Sequence, residues 1–524
     1  MPTIPYRYAV ALVTAIGLFM AVLNNTVVNV ALVPMQESFG IGLSQAQWII
    51  TSYFLVQAAV IPVAGYLGLW FGSKLTYLVF LGIFVVGSIA CAASTLLPES
   101  LSFPALVAAR VLQGIGGGAL FPLATSITFA SFRPEDRASA SAFISIPVLI
   151  APTLGPAIGG IVVDSPLGWP WIFLLNVPVG LLGIALVARV LRPDAARAAD
   201  SQAAADPVAT RHFDWTGLLS CMAGVVVVVY AFSLVGETRD GSITAESPLG
   251  EVNGWLYGPF WGLLVLGLFI LGFFTWYELR RAADPVLNLR LYGGRTFRIA
   301  SVLTWATRGI VFGSFFLLPL FLQQYRGLSA VETGLILGAQ GIGAVIGVQV
   351  AARLFDRVGP RYIVVGGFAA LTASTLWLVL VDATVAYWAF IPILILRGIG
   401  FGWSNMPLQT TALAEITGSA LPKATSLFNA TAQVFSSIGI AVTSTLFLGY
   451  VDSHAHLIVQ TPEGVDALEA GAQGFRYAFL YLAMGTAIAG IAAFWLPRYS
   501  LRQRQEHGDE DALDVKAQGE PSRA

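Results

Sequence analysis

The chain has 524 residues, of which 56% are hydrophobic and only 11% charged, far from the roughly one quarter charged residues of a soluble domain. It therefore reads as an all-α integral membrane protein, and its formal net charge of -1 gives no ground for a nucleic-acid partner. Two cysteines, Cys91 and Cys221, lie far apart inside apolar runs, which argues against a disulfide framework or a thiolate metal site; no metal and no cofactor is expected.

A spanning helix needs roughly 20 mostly apolar residues. About fourteen such segments follow one another, near 9–35, 46–68, 75–96, 103–129, 139–163, 171–191, 215–235, 255–279, 297–323, 330–352, 362–382, 386–409, 424–450 and 475–497. The first is too long for a signal-peptide core of roughly 7 to 15 residues, so it is read as a retained span. Its centre carries the amides Asn24, Asn25 and Asn29, which are expensive in lipid and must turn toward a cavity or neighbouring helices. Asn25 and Asn29, four apart, share one helix face.

Lys and Arg mark cytoplasmic loops. With the N terminus inside, the inner connections hold Lys74, Arg133, Arg137, Arg189, Arg192, Arg197, Arg211, Arg280, Arg281, Arg290, Arg295, Arg298, Arg353, Arg357, Arg361, Lys423, Arg498, Arg502 and Arg504, whereas the outer ones hold Arg239, Arg326 and Arg476. The protein is thus expected to be multi-pass in the cell membrane with both termini cytoplasmic. Residues 192–214 are Ala-rich and charged, and those after Leu501 are polar and expected to be disordered.

A repeat shows at an offset of 287: "GYLGLWFGSK" (65–74) lines up with "ARLFDRVGPR" (352–361), matching Gly72 to Gly359 and Lys74 to Arg361. The same offset sets Arg110 on Arg397, although a slide of three residues would instead align "GIGGG" with "GIGFG". The expected organisation is an N-terminal six-helix bundle (1–192), a cytoplasmic linker (193–214), an extra two-helix insert (215–280), a C-terminal six-helix bundle (281–497) and a cytoplasmic tail (498–524). Parallel repeats with a substrate site near the bilayer midplane are a common transporter plan.

Intramembrane ionisable residues are functional candidates by default. They are Arg110, Arg308 and Arg397, and arginine keeps its proton at any working pH. Arg110 is expected to bond carbonyls or a first-helix amide. Arg308, with Trp305 one turn before it, would suit a carboxylate or phosphate through paired hydrogen bonds. Gln113, Gln340, Trp403, Asn405, Gln409, Asn429 and Gln433 are polar residues within spans that could orient a ligand or bond neighbouring helices. No carboxylate lies clearly within a span: Asp164, Glu332, Asp382 and Glu415 sit near helix ends, and all four histidines lie outside the apolar runs. Without a positioned base and nucleophile, an intramembrane enzyme is disfavoured.

Several stretches resemble the major facilitator superfamily, in its 14-span drug:proton antiporter branch of the EmrB and QacA type. "APTLGPAIGG" (151–160) is similar to the antiporter motif of that branch. There a Gly-Pro step frees a carbonyl and bends the helix, and small residues admit a neighbour; the residues concerned are Pro152, Gly155, Pro156, Gly159 and Gly160. "LVAARVLQGIGGG" (106–118) resembles the fourth-helix motif, whose Arg, here Arg110, serves proton transfer in the family. The loop after the second span resembles a cytoplasmic latch (Gly72 and Lys74), but with Leu69 and Trp70 where an Asp and an Arg are usual; its second copy keeps Asp356, Arg357, Gly359 and Arg361. "WPWIFLLNVPVG" (169–180) and "FDWTGLL" (213–219) fit the sixth and seventh spans.

In that branch a first-helix acid titrates, and Asn24 occupies its position here. The resemblance implies a secondary transporter that exports hydrophobic or amphipathic compounds by alternating access, with protons as candidate coupling ion and a periplasmic adaptor as candidate partner. The alternative is a facilitator, or a lipid or lipophilic-anion transporter, that works without proton coupling.

Overall fold

The computed structural model describes residues 5–132, 137–192, 214–235, 258–281, 287–381, 385–414, 416, 420–453 and 465–498. The linker and tail segments 193–213 and 499–524, both long outer loops, and Arg133, Asp382, Glu415 and the four histidines lie outside the described residues, as do the side chains of Pro152, Asp356 and Lys423.

The described chain is helical: α1 (Tyr6–Phe39), α2 (Leu43–Phe71), α3 (Ser73–Ala93), α4 (Glu99–Ser131), α5 (Arg137–Val163), α6 (Trp171–Val190), α7 (Trp215–Val235), α8 (Gly258–Arg280), α9 (Arg295–Leu320), α10 (Ala330–Val358), α11 (Pro360–Leu380), α12 (Phe390–Leu413), α13 (Ala420–Ser453) and α14 (Val465–Ala492). Among the described residues, twelve helices are long and apolar enough to cross a membrane. In lipid the backbone must satisfy its own hydrogen bonds, which makes helix the available form for such segments.

Local chemistry sets the helix ends. α1 stops at Gly40, whose φ of 62° suits the left-handed cap that glycine tolerates. The two repeat turns are the same turn: Gly72 (φ 85°, ψ 141°) joins α2 to α3, and Gly359 (φ 82°, ψ 160°) joins α10 to α11. α10 begins with a capping box in which Ser329 and Glu332 each accept the other's backbone N–H, so Glu332 is a helix cap.

α1 packs on α4, α5 and α6, and α2 and α3 pack on α4; in the same way α9 packs on α13, α10 and α11 on α12, and α11 on α14. Two bundles result. α7 and α8 pair with each other, and α7 leans on α2 and α13. The bundles meet along α5–α10 and α2–α13.

Small residues bring α1, α5 and α10 together. Gly155 faces Thr26, Gly159 faces Val27, and Gly160 faces Ala330 and Val331; Gly334 faces the Pro156 carbonyl and Gly341 faces Thr153. A side chain at any of these positions would strike backbone or Cβ atoms, so close approach is what the glycines permit. The motif reading of Gly155, Gly159 and Gly160 as a packing face therefore has a physical basis, and the face serves both neighbours of α5.

At the bundle end away from the N terminus, further bonds join the halves. Asp164 at the end of α5 accepts the N–H of Val331 at 2.8 Å. A π-helical turn, Phe321–Tyr325, follows α9, and there Gln323 donates to the carbonyl of Val30 (2.9 Å) while Gln324 donates to Gln36 (3.3 Å). The bonds of Asp164, Gln323 and Gln324 thus tie the N-terminal to the C-terminal bundle at this end.

Candidate functional site

α4 carries Arg110 to a fully buried position, 1% exposed. Its Nε donates to the Ile49 carbonyl (2.7 Å) and one terminal nitrogen donates to Gln113 Oε1 (2.6 Å), one turn along the same helix. Gln113 in turn donates to Ser88 Oγ on α3 at 2.7 Å. The guanidinium lies over the rings of Tyr53 (4.3 Å) and Phe173 (5.8 Å). A buried cation needs hydrogen bonds and a polarisable surround, and Arg110 has both. It bonds a carbonyl, as one of the two expectations had it, and not a first-helix amide. The amide comes near through a phenol, for Asn24 faces the Tyr53 hydroxyl and Gln57 donates to that hydroxyl at 3.3 Å.

The other first-helix amides do different things. Asn29 donates to the carbonyl of Asn25 on its own helix (3.2 Å), while Asn25 is half-buried. The Nδ2 of Asn24 and the Oδ1 of Asn25 are buried without a hydrogen-bond partner among the described residues. Asn429 bonds the Thr425 carbonyl of its own helix (2.9 Å), and Gln340 is buried where its backbone carbonyl faces Gly398. Asn405 is half-buried on α12.

Arg397, on α12 and 1% exposed, donates to Thr375 Oγ1 at 2.6 Å. The offset of 287 pairs it with Arg110, but helix packing pairs it otherwise. Gly114 and Gly118 face the backbone of α2 at Tyr53 and Gln57; Gly398 and Gly402 face the backbone of α10 at Gln340 and Ala344. Gly116 and Gly400 likewise face α3 at Phe84 and α11 at Leu371. The fourth helix of each bundle is therefore in register at an offset of 284, while the second and third keep 287. In that register Arg397 stands where Gln113 stands, Thr375 where Ser88 stands, and Leu394 where Arg110 stands. The equivalence of the two arginines is corrected by this packing.

Arg308 is of another kind. It sits mid-way along α9, half-buried, with its guanidinium 5.7 Å from the ring centre of Phe312 and 6.0 Å from that of Phe401. Among the described residues it makes no hydrogen bond and no ion pair, and its Nε is sealed from solvent without an acceptor. Phe312 meets Phe54 of α2 edge-on at 5.4 Å, and Phe54 neighbours Tyr53 at 5.9 Å. An aromatic arc thus crosses the bundle interface and ends on a cation at each side: Arg110 over Tyr53, then Phe54, then Phe312 under Arg308. Trp305 stacks on Phe435 at 4.7 Å and donates to Thr431 (3.0 Å).

The residues expected to form a latch between helices act within each bundle. Lys74 Nζ donates to the carbonyls of Ala188 (2.7 Å) and Leu191 (2.5 Å) at the end of α6, and Arg361 Nε donates to the carbonyl of Leu496 (2.7 Å) beyond α14. Each cation closes the carboxyl end of its bundle's last helix, where the helix dipole favours positive charge. Arg357 is exposed, and the acid half of the expected relay, Asp356, has no described side chain.

One buried carboxylate escaped the sequence reading. Glu278, 2% exposed near the end of α8, lies beside Gly217 and accepts the Leu287 N–H at 3.4 Å. Position alone hides it, since it falls at the apparent edge of an apolar run and only the packing of α7 covers it. Tyr53, Ser88 and the paired glutamines Gln323 and Gln324 were also missed, because one tyrosine among 16 carries no mark of its neighbours. Among the described residues no group of acidic, His or Cys side chains could hold a metal.

Comparison with known proteins gives concordant results. The sequence pattern of the Major Facilitator Superfamily matches residues 14–440 and 299–518. The chain is 31% identical over 455 residues to a "Multidrug resistance protein B homolog" of Mycobacterium tuberculosis, covering 86% of this chain and 78% of that one. It is 29% identical to a "Putative multidrug resistance protein MdtD" of Klebsiella pneumoniae, covering 91% and 92%. Among solved structures, the inward-facing, unoccupied form of a bacterial homolog of the human lysosomal transporter Spinster aligns over 94% of this chain and 97% of that one, with a TM-score of 0.60 at 16% identity.

Proposed function

The chain belongs to the major facilitator superfamily, and from that premise we propose that it is a secondary transporter exporting hydrophobic or amphipathic compounds by alternating access, of the fourteen-span EmrB and QacA type. α2 and α5 complete the fourteen spans, the termini are cytoplasmic, and a periplasmic adaptor is a candidate partner. The observation that carries the reading is the closure of one end: α5 is packed into α1 and α10 through Gly155, Gly159, Gly160 and Gly334, and Asp164, Gln323 and Gln324 bond across the bundles at the end away from the N terminus. With cytoplasmic termini this is a state closed to the outside. The names of the mycobacterial and Klebsiella relatives supply the drug-export part.

A second reading keeps the fold without proton exchange, and Asn24 favours it. An amide cannot titrate, and the buried carboxylate Glu278 belongs to the α7–α8 pair and not to the bundle core. Efflux of a hydrophobic fluorescent dye from proteoliposomes, with and without an imposed pH gradient, separates the two. Faster efflux with the gradient supports antiport; equal rates support the uncoupled facilitator; no efflux removes both.

A further inference from the structure

We propose that Arg308 and the aromatic rings around it form a subsite for an acidic headgroup borne on an apolar tail, so that the preferred substrate is a lipophilic anion. The inference rests on the transporter reading above and names the substrate class of the same central region.

The three intramembrane arginines have unequal claims on a ligand. Arg110 spends its guanidinium on the Ile49 carbonyl and on Gln113 and is sealed. Arg397 is sealed as well and holds Thr375. Arg308 alone of the three is only partly buried and holds no hydrogen bond and no ion pair among the described residues. An arginine keeps its charge at any working pH, and an ionised group this deep in a bundle is costly unless an opposite charge or dipoles meet it. Ring faces supply part of that compensation, through Phe312 and Phe401. The remainder, five N–H donors in a planar fork, matches a carboxylate or phosphate, which accepts two parallel bonds.

The surround fits the other end of such a molecule. Phe312, the ring under the guanidinium, meets Phe54 on α2, so the cation stands beside a contact between the two bundles. Phe401 approaches from α12, and Trp305, one turn earlier on α9, is pinned against Phe435 and Thr431. A tail laid on this arc would bury apolar surface while its headgroup met the cation. A lipophilic cation would meet the same guanidinium as a repulsion, which is how like charge gives selectivity.

The headgroup could come from a free amphiphile or from an anionic bilayer lipid, and the test separates them. The full-length protein is placed in phosphatidylcholine nanodiscs and titrated with a dansyl-labelled long-chain fatty acid and with the primary amide of the same probe. The acid is expected to bind about tenfold or more tightly than the amide, and R308Q is expected to bring the two affinities together by weakening the acid alone. Should R308Q not fold, R308K carries the test: it keeps the charge but not the fork, so the acid weakens by a smaller factor and the amide is unmoved. Equal binding of acid and amide to the unaltered protein, an unchanged preference in R308Q, or binding of neither probe would each overturn the proposal. Repeating the titration with phosphatidylglycerol in the nanodisc identifies the source: competition assigns the site to bilayer lipid, and its absence to free amphiphiles, and either is consistent with an acidic headgroup. Efflux of a neutral hydrophobic dye from proteoliposomes of the same protein keeps the two readings apart. Dye efflux without acid preference sinks only this inference, whereas loss of all efflux sinks the transport reading.

Discussion

If closure at one end rests on the contact of α5 with α10, a single methyl group placed there should open it. Gly334→Ala is the sharpest perturbation, since its new Cβ would lie 2.7 Å from the Pro156 carbonyl carbon and 3.3 Å from Ala157 Cα. Ordinary carbon contacts need about 3.5 Å or more, so the two helices must separate by nearly 1 Å. Overpacking of this sort costs about 1–3 kcal/mol. The penalty falls only on the state in which these helices touch, and so it shifts the conformational equilibrium by about 5- to 150-fold. The readout is the rate at which Asn25→Cys, half-buried near the middle of α1, reacts with a membrane-impermeant maleimide added from the outside. Native thiols interfere little, since Cys91 and Cys221 are both buried. Gly334→Ala should raise that rate within the stated range, and Gly338→Ala, whose Cβ would meet the Thr153 carbonyl at 3.2 Å, should raise it less. Gly262→Ala on α8, with nothing within 4 Å of its Cβ, should leave it alone. A folded Gly334→Ala protein labelled no faster than the parent would refute the assignment of the closed end to this contact.

Four further outcomes follow from the geometry. Asn24→Asp restores a titratable group at the Tyr53 hydroxyl, and efflux from proteoliposomes should then acquire a dependence on the pH gradient; an unchanged profile would show that more than the acid is missing. Arg110→Gln orphans the Ile49 carbonyl and Gln113, at about 1–3 kcal/mol, so thermal unfolding in detergent should move down whether or not substrate is present. Lys74→Ala and Arg361→Ala each remove a cation from a helix carboxyl end, worth about 0.3–1 kcal/mol. The two sites lie in separate bundles, so the losses should add in the double variant. Tyr292, in the short turn Leu289–Gly293 before α9, has its phenol pushed up to about 12 by burial, against an ordinary value of 10.0. Its stabilising contribution is whole below pH 10 and is lost as the pH rises from there toward 12, because the unfolded chain ionises first; Tyr292→Phe should remove that alkaline drop.

Much of this molecule was legible from its residues, and the reasons differ from place to place. Helix positions followed from apolar run length because a bilayer leaves the backbone few alternatives. The repeat turns were readable because Gly72 and Gly359 take positive φ, and because Lys74 and Arg361 do the same capping work in each bundle. Gln113 could be tied to Arg110 by its place one turn along the same helix. What stayed hidden depends on contacts between distant segments. Nothing in "QWIITSYF" says that the Ile49 carbonyl and the Tyr53 ring will receive a guanidinium. Gln323 and Gln324 both reach α1 only because a π-helical turn reorients them, and a periodicity of 3.6 residues does not anticipate that. Asp164, read as a border acid, becomes an inter-bundle bond only once α10 begins beside it.

The three-residue slip between the bundles has a historical consequence. If the halves descend from one duplicated segment, they have since diverged by gain or loss of residues between the third and fourth helices, and not by substitution alone. Arg110 and Arg397 are then separate acquisitions: each bundle arrived at a buried cation from a different ancestral position, and one of them did so where its twin still keeps a glutamine. Reconstructed ancestors of the two halves should accordingly carry at most one of these arginines at any shared site.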